Sequence, residues 1–115
     1  MIDYNKEFLS ALKTVLPTYH ELTLTKGTKT PCLSYQELNN YVTDDGDTLE
    51  YSRLTFQVKV WGTDLAQLMK YAGNVDKVLR PLGFKRTASG ELYDRNSSMI
   101  QKILTYEATA LEIFN

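Results

Sequence analysis

The most regular hydrophobic pattern in the chain is an alternating stretch, from Tyr51 to Trp61, that leads directly into a helical one. In the alternating part, every second position is apolar, and these positions are Leu54, Phe56, Val58 and Val60. Period two predicts a strand with one buried face. In the helical part, apolar residues recur at spacings of three and four, and these are Leu65, Leu68, Met69, Ala72, Val75, Leu79 and Leu82. This spacing predicts an amphipathic helix. Asp64, at capping-box spacing from Gln67, is expected to cap its start, and Gly83 to end it in the left-handed conformation.

The N-terminal third contains one helix and two shorter strands. Apolar periodicity predicts a helix over residues 3–16, with Asp3 as its N-cap and Pro17 as its end. Alternation predicts a short strand over residues 19–25 and a second, opened by Pro31, over residues 32–38. The second strand is expected to pair with the long strand over residues 51–61.

The C-terminal third is predicted to be a run of strands. Residues 84–88 and 91–94 suggest a hairpin around Ser89-Gly90, because glycine and serine favour tight turns. A further turn at residues 96–98 leads to a last long strand over residues 99–110.

An acidic segment lies between the two central strands, from Tyr41 to Glu50. It contains the carboxylates of Asp44, Asp45, Asp47 and Glu50 together with an Asp-Gly pair. Its composition is compatible with a hairpin tip and with a longer, mobile loop.

The order of elements predicts the fold class. A helix, strands, a second helix and further strands lack regular β-α-β alternation, which predicts an α+β fold with a mainly antiparallel sheet. Two helices are expected to pack on one face of this sheet and to leave the other exposed or used by partners. With 115 residues, of which 43% are hydrophobic, the chain is expected to form one domain over residues 1–115.

The charge and cysteine content limit the classes of binding partner and the cellular compartment that fit this chain. The formal net charge of -1 gives no overall field for nucleic acid or an anionic membrane. A single cysteine, Cys32, cannot form an internal disulfide, which fits a reducing cytoplasm or a virion assembled there. We also expect no signal peptide and no membrane span, because the apolar runs are short.

Candidate reaction chemistry is sparse. His20 and Cys32 are a formal nucleophilic pair, but neither lies in a recognisable motif, and a boundary histidine and a buried thiol are the favoured interpretation. The acidic segment lacks the alternating ligand pattern of a calcium loop and is interpreted as solvated. We therefore predict no enzyme, no metal site and no cofactor.

Two pairs of basic residues, Lys26 with Lys29 and Lys85 with Arg86, occupy predicted turns. Together they would suit a nucleic-acid patch, but the balanced total charge favours solvated turn charges. Tyrosines in predicted strands suit either a half-buried sheet or a surface that assembly buries, and these include Tyr35, Tyr51, Tyr93 and Tyr106.

Four local features together resemble the tail terminator family of long-tailed bacteriophages and prophages, also called tail completion or head–tail joining proteins. An N-terminal helix precedes a proline-led strand (residues 30–36), and a long strand follows (residues 53–61). A helix over residues 66–82 then exits through Gly83-Phe84, and a tyrosine-containing strand and a last long strand close the chain.

The resemblance implies a mechanical function. Such proteins form a ring, typically a hexamer, on the head-proximal end of the finished tail tube, stop its polymerisation and present a surface to the head connector. The expected partners are therefore other copies, the tail tube protein and a head connector protein, in a virion assembled in the bacterial cytoplasm. DNA is expected to pass through the lumen without specific binding, and neither a membrane nor a small-molecule substrate is implied.

Charged loops are the candidate subunit or partner interface, because a head-to-tail ring needs two complementary patches. The candidate residues are Lys26, Lys29, Tyr41, Asp44, Asp45, Asp47, Glu50, Lys85 and Arg86. An acidic lumen that repels DNA is one hypothesis for the acidic segment. A head-closure or adaptor component, and a small nucleic-acid-binding α+β module, are the alternative functions.

Overall fold

Five strands and two helices make up the computed structural model, which describes residues 4–25, 27–44 and 50–109. The helices are α1 (Tyr4–Lys13) and α2 (Leu65–Leu79), and the strands are β1 (Thr18–His20), β2 (Cys32–Asp44), β3 (Glu50–Gly62), β4 (Lys85–Asp94) and β5 (Met99–Thr109). The sheet has the order β1-β2-β3-β5-β4, in which β1 is parallel to β2 and every other pair is antiparallel. The predicted α+β class with a mainly antiparallel sheet is confirmed.

One face of the sheet and both helices share a single hydrophobic core. The alternating residues of β3 predicted to be buried are all completely buried, and their neighbours on β5 are Leu104, Tyr106 and Ala108. From α1, the Phe8 ring stacks on Phe56 at a centroid distance of 4.2 Å and meets the edge of Phe84 at 4.9 Å. From α2, the same cluster receives Leu68, Ala72, Val75 and Leu79. Both helices therefore lie on one face, as predicted.

The second face of the sheet, expected to be exposed or used by partners, is partly covered by a segment of the chain itself. A 3-10 turn at Glu21–Thr23 follows β1, and Glu21 forms an ion pair with Lys59 of β3. Beneath this segment Cys32 and Ser34 are buried. The predicted strand over residues 19–25 is correspondingly wrong beyond His20, because the His20 Nδ1 atom accepts a hydrogen bond from the Leu22 backbone N–H and the chain turns there.

The start and end of α2 follow the predicted capping chemistry. The Asp64 carboxylate accepts hydrogen bonds from the backbone N–H groups of Ala66 and Gln67, at 3.1 and 3.4 Å. The helix ends at Leu79, a 3-10 turn with Pro81 continues it, and Gly83 has a φ of 96°. Only a residue without a Cβ adopts this φ freely, so Gly83 directs the chain into β4.

The predicted hairpin around Ser89-Gly90 is wrong. Residues 85–94 form one continuous strand with a register shift between Arg86 and Ala88, and Gly90 lies opposite Ile103 of β5. The turn instead lies at residues 95–98, where the Asp94 carboxylate accepts a hydrogen bond from the Asn96 N–H. Cross-strand pairing with β5 along the whole of β4 outweighs the local turn preference of serine and glycine.

The two central strands extend further than predicted. β2 continues through the predicted loop to Asp44, and its register with β3 runs to the pair Asp44 and Glu50. In the described part of the chain, β5 reaches only to the pair Thr109 and Arg53. The last three described pairs of β2 and β3 lie beyond the described end of β5, and we call them the β2–β3 ribbon. Residues 45–49, with Asp45 and Asp47, lie outside the described residues.

Candidate functional site

A carboxylate on α2 joins the helix to both C-terminal strands. The Tyr106 hydroxyl donates a hydrogen bond of 2.5 Å to Asp76 Oδ1, and Arg86 Nη1 lies 3.1 Å from Asp76 Oδ2. Burial, the hydrogen bond to Asp76 and the charge of that carboxylate raise the pKa of Tyr106 far above its usual range. The hydroxyl is therefore protonated at physiological pH and acts as a permanent donor.

Further cations surround this carboxylate. Arg80, Lys85 and Arg86 line one shallow hollow of about 160 Å³ together with Phe84, Asp76 and Tyr106. Among the described residues, Asp76 pairs with Arg86, whereas Arg80 and Lys85 have no ion-pair partner. Glu107 of β5 lies directly across from Lys85 and lines a neighbouring hollow with it, so Asp76 and Glu107 are the carboxylates next to these three cations. We call Arg80, Lys85 and Arg86 the cationic cluster.

Sequence reasoning found two members of the cationic cluster and missed the third. Lys85 and Arg86 were candidates because they share a predicted turn, whereas Arg80 and the central Asp76 were not considered. Asp76 and Arg80 are four residues apart in the predicted helix, and residues four apart lie on one helix face. This spacing was the sequence signal that could have placed the two side chains together.

The other predicted basic pair does not join the cluster. Lys29 lies just before β2 begins, and its neighbours Thr28 and Thr30 line a hollow with Asn96 of the β4–β5 turn. Lys85 pairs with Glu107, Glu107 with Thr55, and Thr55 with Asn39. Lys85 therefore lies at the same position along the strand direction as Asn39 of β2. Positions 32 and 39 of an extended strand are about 23 Å apart. Lys29 and Lys85 thus lie at opposite ends of the sheet, and Lys26 lies outside the described residues.

Two of the acidic candidates, Asp44 and Glu50, lie in the described residues, at the end of β2 and the start of β3. Asp44 and Glu50 are partners in the last described pair of the β2–β3 ribbon, and Tyr41 pairs with Arg53. β5 separates β3 from β4, which carries Lys85 and Arg86. Asp44 and Glu50 thus lie near the same end of the sheet as Lys85 and Arg86, on different strands.

A half-buried polar network lies at the centre of the second sheet face. The Trp61 indole N–H donates to the Ser34 hydroxyl at 2.8 Å, and the Lys59 ammonium lies 5.8 Å from the Trp61 ring centroid. Lys59 also bonds the Glu21 carboxylate. These contacts fix the segment after β1 on the sheet, and we assign them a structural role.

The formal Cys–His pair is not assembled. Cys32 is 1% exposed, and burial raises the pKa of its thiol, which disfavours the nucleophilic thiolate. His20 pairs with Tyr35 of β2, and its ring meets the Tyr35 ring edge-on at 5.3 Å. Positions 32 and 35 lie about 10 Å apart on a strand and point to opposite faces.

Metal and membrane signatures are absent from the part of the chain that the structure describes. Within residues 4–25, 27–44 and 50–109, no group of three His, Cys, Asp or Glu residues could hold a metal ion. None of the described helices has the length and apolar composition needed to cross a bilayer.

The outer edge of β4 is open among the described strands. β4 is the last strand of the sheet order, and most of its residues are exposed, including Leu92 and Tyr93. On α2, Leu65 and Met69 are also exposed, although the helical pattern placed both on the apolar stripe. An open edge next to exposed apolar side chains is typical of surfaces that other chains cover.

Comparison with known proteins gives a likeness in structure but none in sequence. No family model matches the chain, and the search of curated proteins found no significant match. Among solved structures, a chain from the virion of a native gene transfer agent particle is similar to it, with a TM-score of 0.57 and 16% sequence identity. The likeness covers 89% of this chain and 82% of that chain. This chain shares its fold with that virion chain. At this level of identity the likeness concerns the fold alone.

Proposed function

We propose that the protein is a structural component of a phage-like virion, and specifically a tail terminator. In this role it caps the head-proximal end of the tail tube, stops tube polymerisation and presents the joining surface to the head. The observation that carries the proposal is the fold shared with a gene transfer agent virion chain over nearly the whole of both chains. The local features that resemble tail terminators support the finer assignment.

The surface of the molecule suits a role in assembly. The β2–β3 ribbon extends beyond the described sheet, the outer edge of β4 is open, and charges of opposite sign flank one end. A ring copy uses two different patches, one for each neighbour, and also needs surfaces for the tube and the connector. We propose a ring, most simply a hexamer, whose lumen lets DNA pass without specific binding.

The proposed role is mechanical and assigns no residue to catalysis. A cap works by occupying the end of the tube, so that the next ring of tube subunits finds no matching surface. The buried thiol of Cys32 and the ion pairs of Lys59 and Asp76 then serve the rigidity of the fold.

The shared fold also supports a second candidate, another head–tail connector component such as a head-closure or adaptor protein. These proteins act in the same part of the virion, and a likeness in fold does not distinguish their positions. The discriminating property is the binding partner: a terminator binds the end of the tail tube, whereas a head-closure protein binds the head connector.

A small nucleic-acid-binding module is the third candidate, and the cationic cluster is the observation that favours it. Retention on heparin at moderate salt is the discriminating measurement. We expect no retention, because the formal net charge is -1 and the acidic segment opposes binding.

The deciding experiment measures the mass of the purified protein by light scattering over a concentration series, alone and with purified tail tubes. The tubes are also imaged by electron microscopy. We expect a ring, either in solution or on one end of each tube, and tubes of uncontrolled length when the protein is absent during assembly. A protein that ignores tube ends but binds connectors would instead support the head-closure assignment.

A further inference from the structure

We propose that neighbouring copies in the ring join edge to edge, with the outer edge of β4 of one copy paired to β1 of the next. We call this contact the edge pairing. The inference rests on the proposed ring and identifies the contact that joins its subunits. The occupant of each open edge is a second copy, the contact is head-to-tail, and the sheets of adjacent copies become continuous.

The first observation is the pair of open edges. β1 and β4 are the outermost strands of the described sheet, so each has one side on which no described strand pairs with its backbone. Large apolar side chains are exposed beside both edges, Tyr19 and Leu22 at β1, and Leu92 and Tyr93 on β4. A head-to-tail contact needs two different patches on each copy, and the two edges of one sheet are such a pair.

The second observation is that the two edges lie at the same position along the strand direction. One row of paired residues crosses the whole sheet, from Tyr19 through Ser34, Lys59 and Ile103 to Gly90. Ring copies are related by a rotation without a shift along the ring axis. With that axis along the strands, Tyr19 of one copy lies opposite Gly90 of the next, and the pairing is antiparallel. An aromatic ring opposite an edge glycine is a favourable cross-strand pair.

The third observation is the direction of the backbone groups at the β1 edge. The Pro17 carbonyl accepts a hydrogen bond from the Leu33 N–H at 2.9 Å, so the chain faces β2 at Pro17 and outward at Thr18 and His20. The His20 carbonyl already accepts the Thr23 hydroxyl. The edge therefore offers the N–H and C=O of Thr18 and the N–H of His20.

The backbone of β4 faces outward at the matching residues. In an antiparallel sheet, each residue hydrogen-bonds to only one of its two neighbouring strands. Following this alternation along the row from Ser34, which faces β3, directs Gly90 towards β5. Ser89 and Glu91 therefore face outward, opposite the two outward-facing residues of β1 in the next copy. The edge pairing thus joins donors to acceptors at both positions.

A protruding ring and a hollow flank the paired strands on the helix side. Tyr93 pairs with Ile100, which packs against the core, so the exposed Tyr93 ring projects on that side. Tyr93 lies three positions after Gly90 and Leu16 three positions before Tyr19, so the antiparallel register brings Tyr93 to Leu16. Leu16 lines a hollow of about 540 Å³ together with Lys13, Val15, Pro17, Thr18 and Tyr19. This hollow has room for the Tyr93 ring of the next copy.

The size of the contact predicts where the ring forms. Three paired residues and one aromatic ring bury less than the roughly 800 Å² per partner of a standard interface. Self-association of the free protein should therefore be weak. The end of the tube holds the copies side by side, which raises their effective concentration and closes the ring.

The test is a disulfide between copies. Tyr19 and Gly90 of adjacent copies form a non-hydrogen-bonded pair, whose Cα atoms lie about 4.5 Å apart, whereas four strand spacings of about 4.8 Å separate them within one copy. We expect Tyr19→Cys with Gly90→Cys, assembled where the wild type assembles and treated with oxidised glutathione, to give covalent oligomers up to the closed ring on a non-reducing gel. The control, Tyr19→Cys with Asp94→Cys, moves the second thiol four positions along β4 and should give little cross-linking.

A charge exchange tests the ring and the hollow independently. Tyr93→Lys places a cation against Lys13 of the next copy, and we expect assembly, measured by light scattering or by capping of tube ends, to weaken at least about tenfold. Adding Lys13→Glu to the same chain restores an attractive pair and should recover most of the assembly. Gln67→Lys makes the same change in charge at an exposed position of α2 and should assemble normally. Thermal unfolding checks that every variant folds.

Each outcome bears on a specific claim. If the cysteine pair assembles without cross-linking, or if its control cross-links equally well, the edge pairing is overturned while the proposed function stands. If the cysteine pair does not assemble, the charge exchange decides: full assembly of Tyr93→Lys, or no recovery with Lys13→Glu, overturns the edge pairing. If the wild type stays monomeric with tubes and leaves their ends uncapped, the proposed function fails and the edge pairing fails with it.

Discussion

Tyr106 and Asp76 show how one hydrogen bond connects the core of this protein to its surface. Tyr106 is 1% exposed, and its hydroxyl reaches a carboxylate that also holds the exposed Arg86. The sequence left Tyr106 open between a half-buried sheet and a surface that assembly buries, and the structure places its ring in the core. The partner of the hydroxyl comes from a helix thirty residues away, which local pattern cannot reveal.

Replacing Tyr106 with phenylalanine tests this bond through the pH dependence of stability. We expect Tyr106→Phe to lower the free energy of unfolding by about 1–2 kcal/mol at pH 8, because Asp76 loses a buried donor. The folded state raises the pKa of Tyr106. Above pH about 10, the unfolded state releases the tyrosine proton while the folded state retains it, so rising pH favours unfolding of the wild type.

The phenylalanine variant lacks this titration. The difference in free energy of unfolding between the wild type and the variant should therefore decrease as the pH rises from 10 to 11. The limiting slope for one proton is about 1.4 kcal/mol per pH unit. Urea unfolding of both proteins at pH 8, 10 and 11 gives this difference in free energy. Subtracting the value of the variant from that of the wild type removes the contributions of the other tyrosines and the lysines, which both proteins share. A difference that does not change with pH would contradict the assignment.

Two glycines on or next to α2 have opposite predicted effects when they are replaced by alanine. Gly83 has a φ of 96°, which disfavours any side chain, so Gly83→Ala should destabilise the protein by about 1–2 kcal/mol. Gly73 lies inside α2, and a Cβ added there would meet nothing within 4 Å. Gly73→Ala should therefore stabilise by about 0.5–1 kcal/mol. Thermal unfolding of the two variants checks both signs in one experiment.

At the scale of elements, α2 is the best-predicted part of the chain. Its start at Asp64, its buried stripe and its exit through Gly83 all follow from sequence, because capping and periodicity are local properties. The exposure of Leu65 and Met69 is the exception. Leu68 lies between these two residues and is completely buried, so the stripe that the core covers is narrower than the apolar pattern, and its width is a tertiary property.

Removing the cap of α2 tests this local description. We expect Asp64→Ala to reduce the free energy of unfolding by about 1 kcal/mol, because two backbone N–H groups lose their acceptor. Asp64→Asn keeps an acceptor oxygen and should retain most of the stability. Chemical denaturation of the three proteins gives the values, and equal losses in both variants would exclude capping as the cause.

The strands show where local pattern fails. Serine and glycine at positions 89 and 90 predict a turn, yet β4 passes straight through them because each residue pairs across to β5. For the acidic segment the sequence left a hairpin tip and a longer loop open, and pairing with β3 extends β2 to Asp44. Pairing along a whole strand adds many contacts, which together outweigh the preference of one or two residues.

At the scale of the whole molecule, charge placement is the property that matters most for the proposed function. Although the net charge is only -1, Arg80, Lys85 and Arg86 lie together in one hollow, and Asp44 is paired with Glu50 on β2 and β3. Sequence reasoning proposed two charged groups but combined Lys29 with Lys85, which the sheet separates. It also missed Arg80, which the helix brings beside them.

Neutralising the acidic segment tests its function in the intact particle. We expect Asp44→Asn, Asp45→Asn and Asp47→Asn together to weaken ring assembly or to alter DNA ejection. The reason is that these carboxylates belong to the candidate interface between subunits and would also supply the charge of an acidic lumen. Glu7→Gln with Asp94→Asn removes exposed carboxylates elsewhere and serves as the control. Unchanged rings and unchanged infectivity in the triple variant would count against both roles of the segment.

The amino-acid sequence by itself determined the class of the fold, the two helices, the buried alternation of β3 and the caps of α2. These properties depend on residues within one or two turns or along one strand, so periodicity and capping chemistry suffice to predict them. Only the tertiary structure decided the strand order, the full length of β2 and β4, and the grouping of Arg80 with Lys85 and Arg86. Those features depend on contacts between residues far apart in the chain, and a single sequence carries no local signal for them.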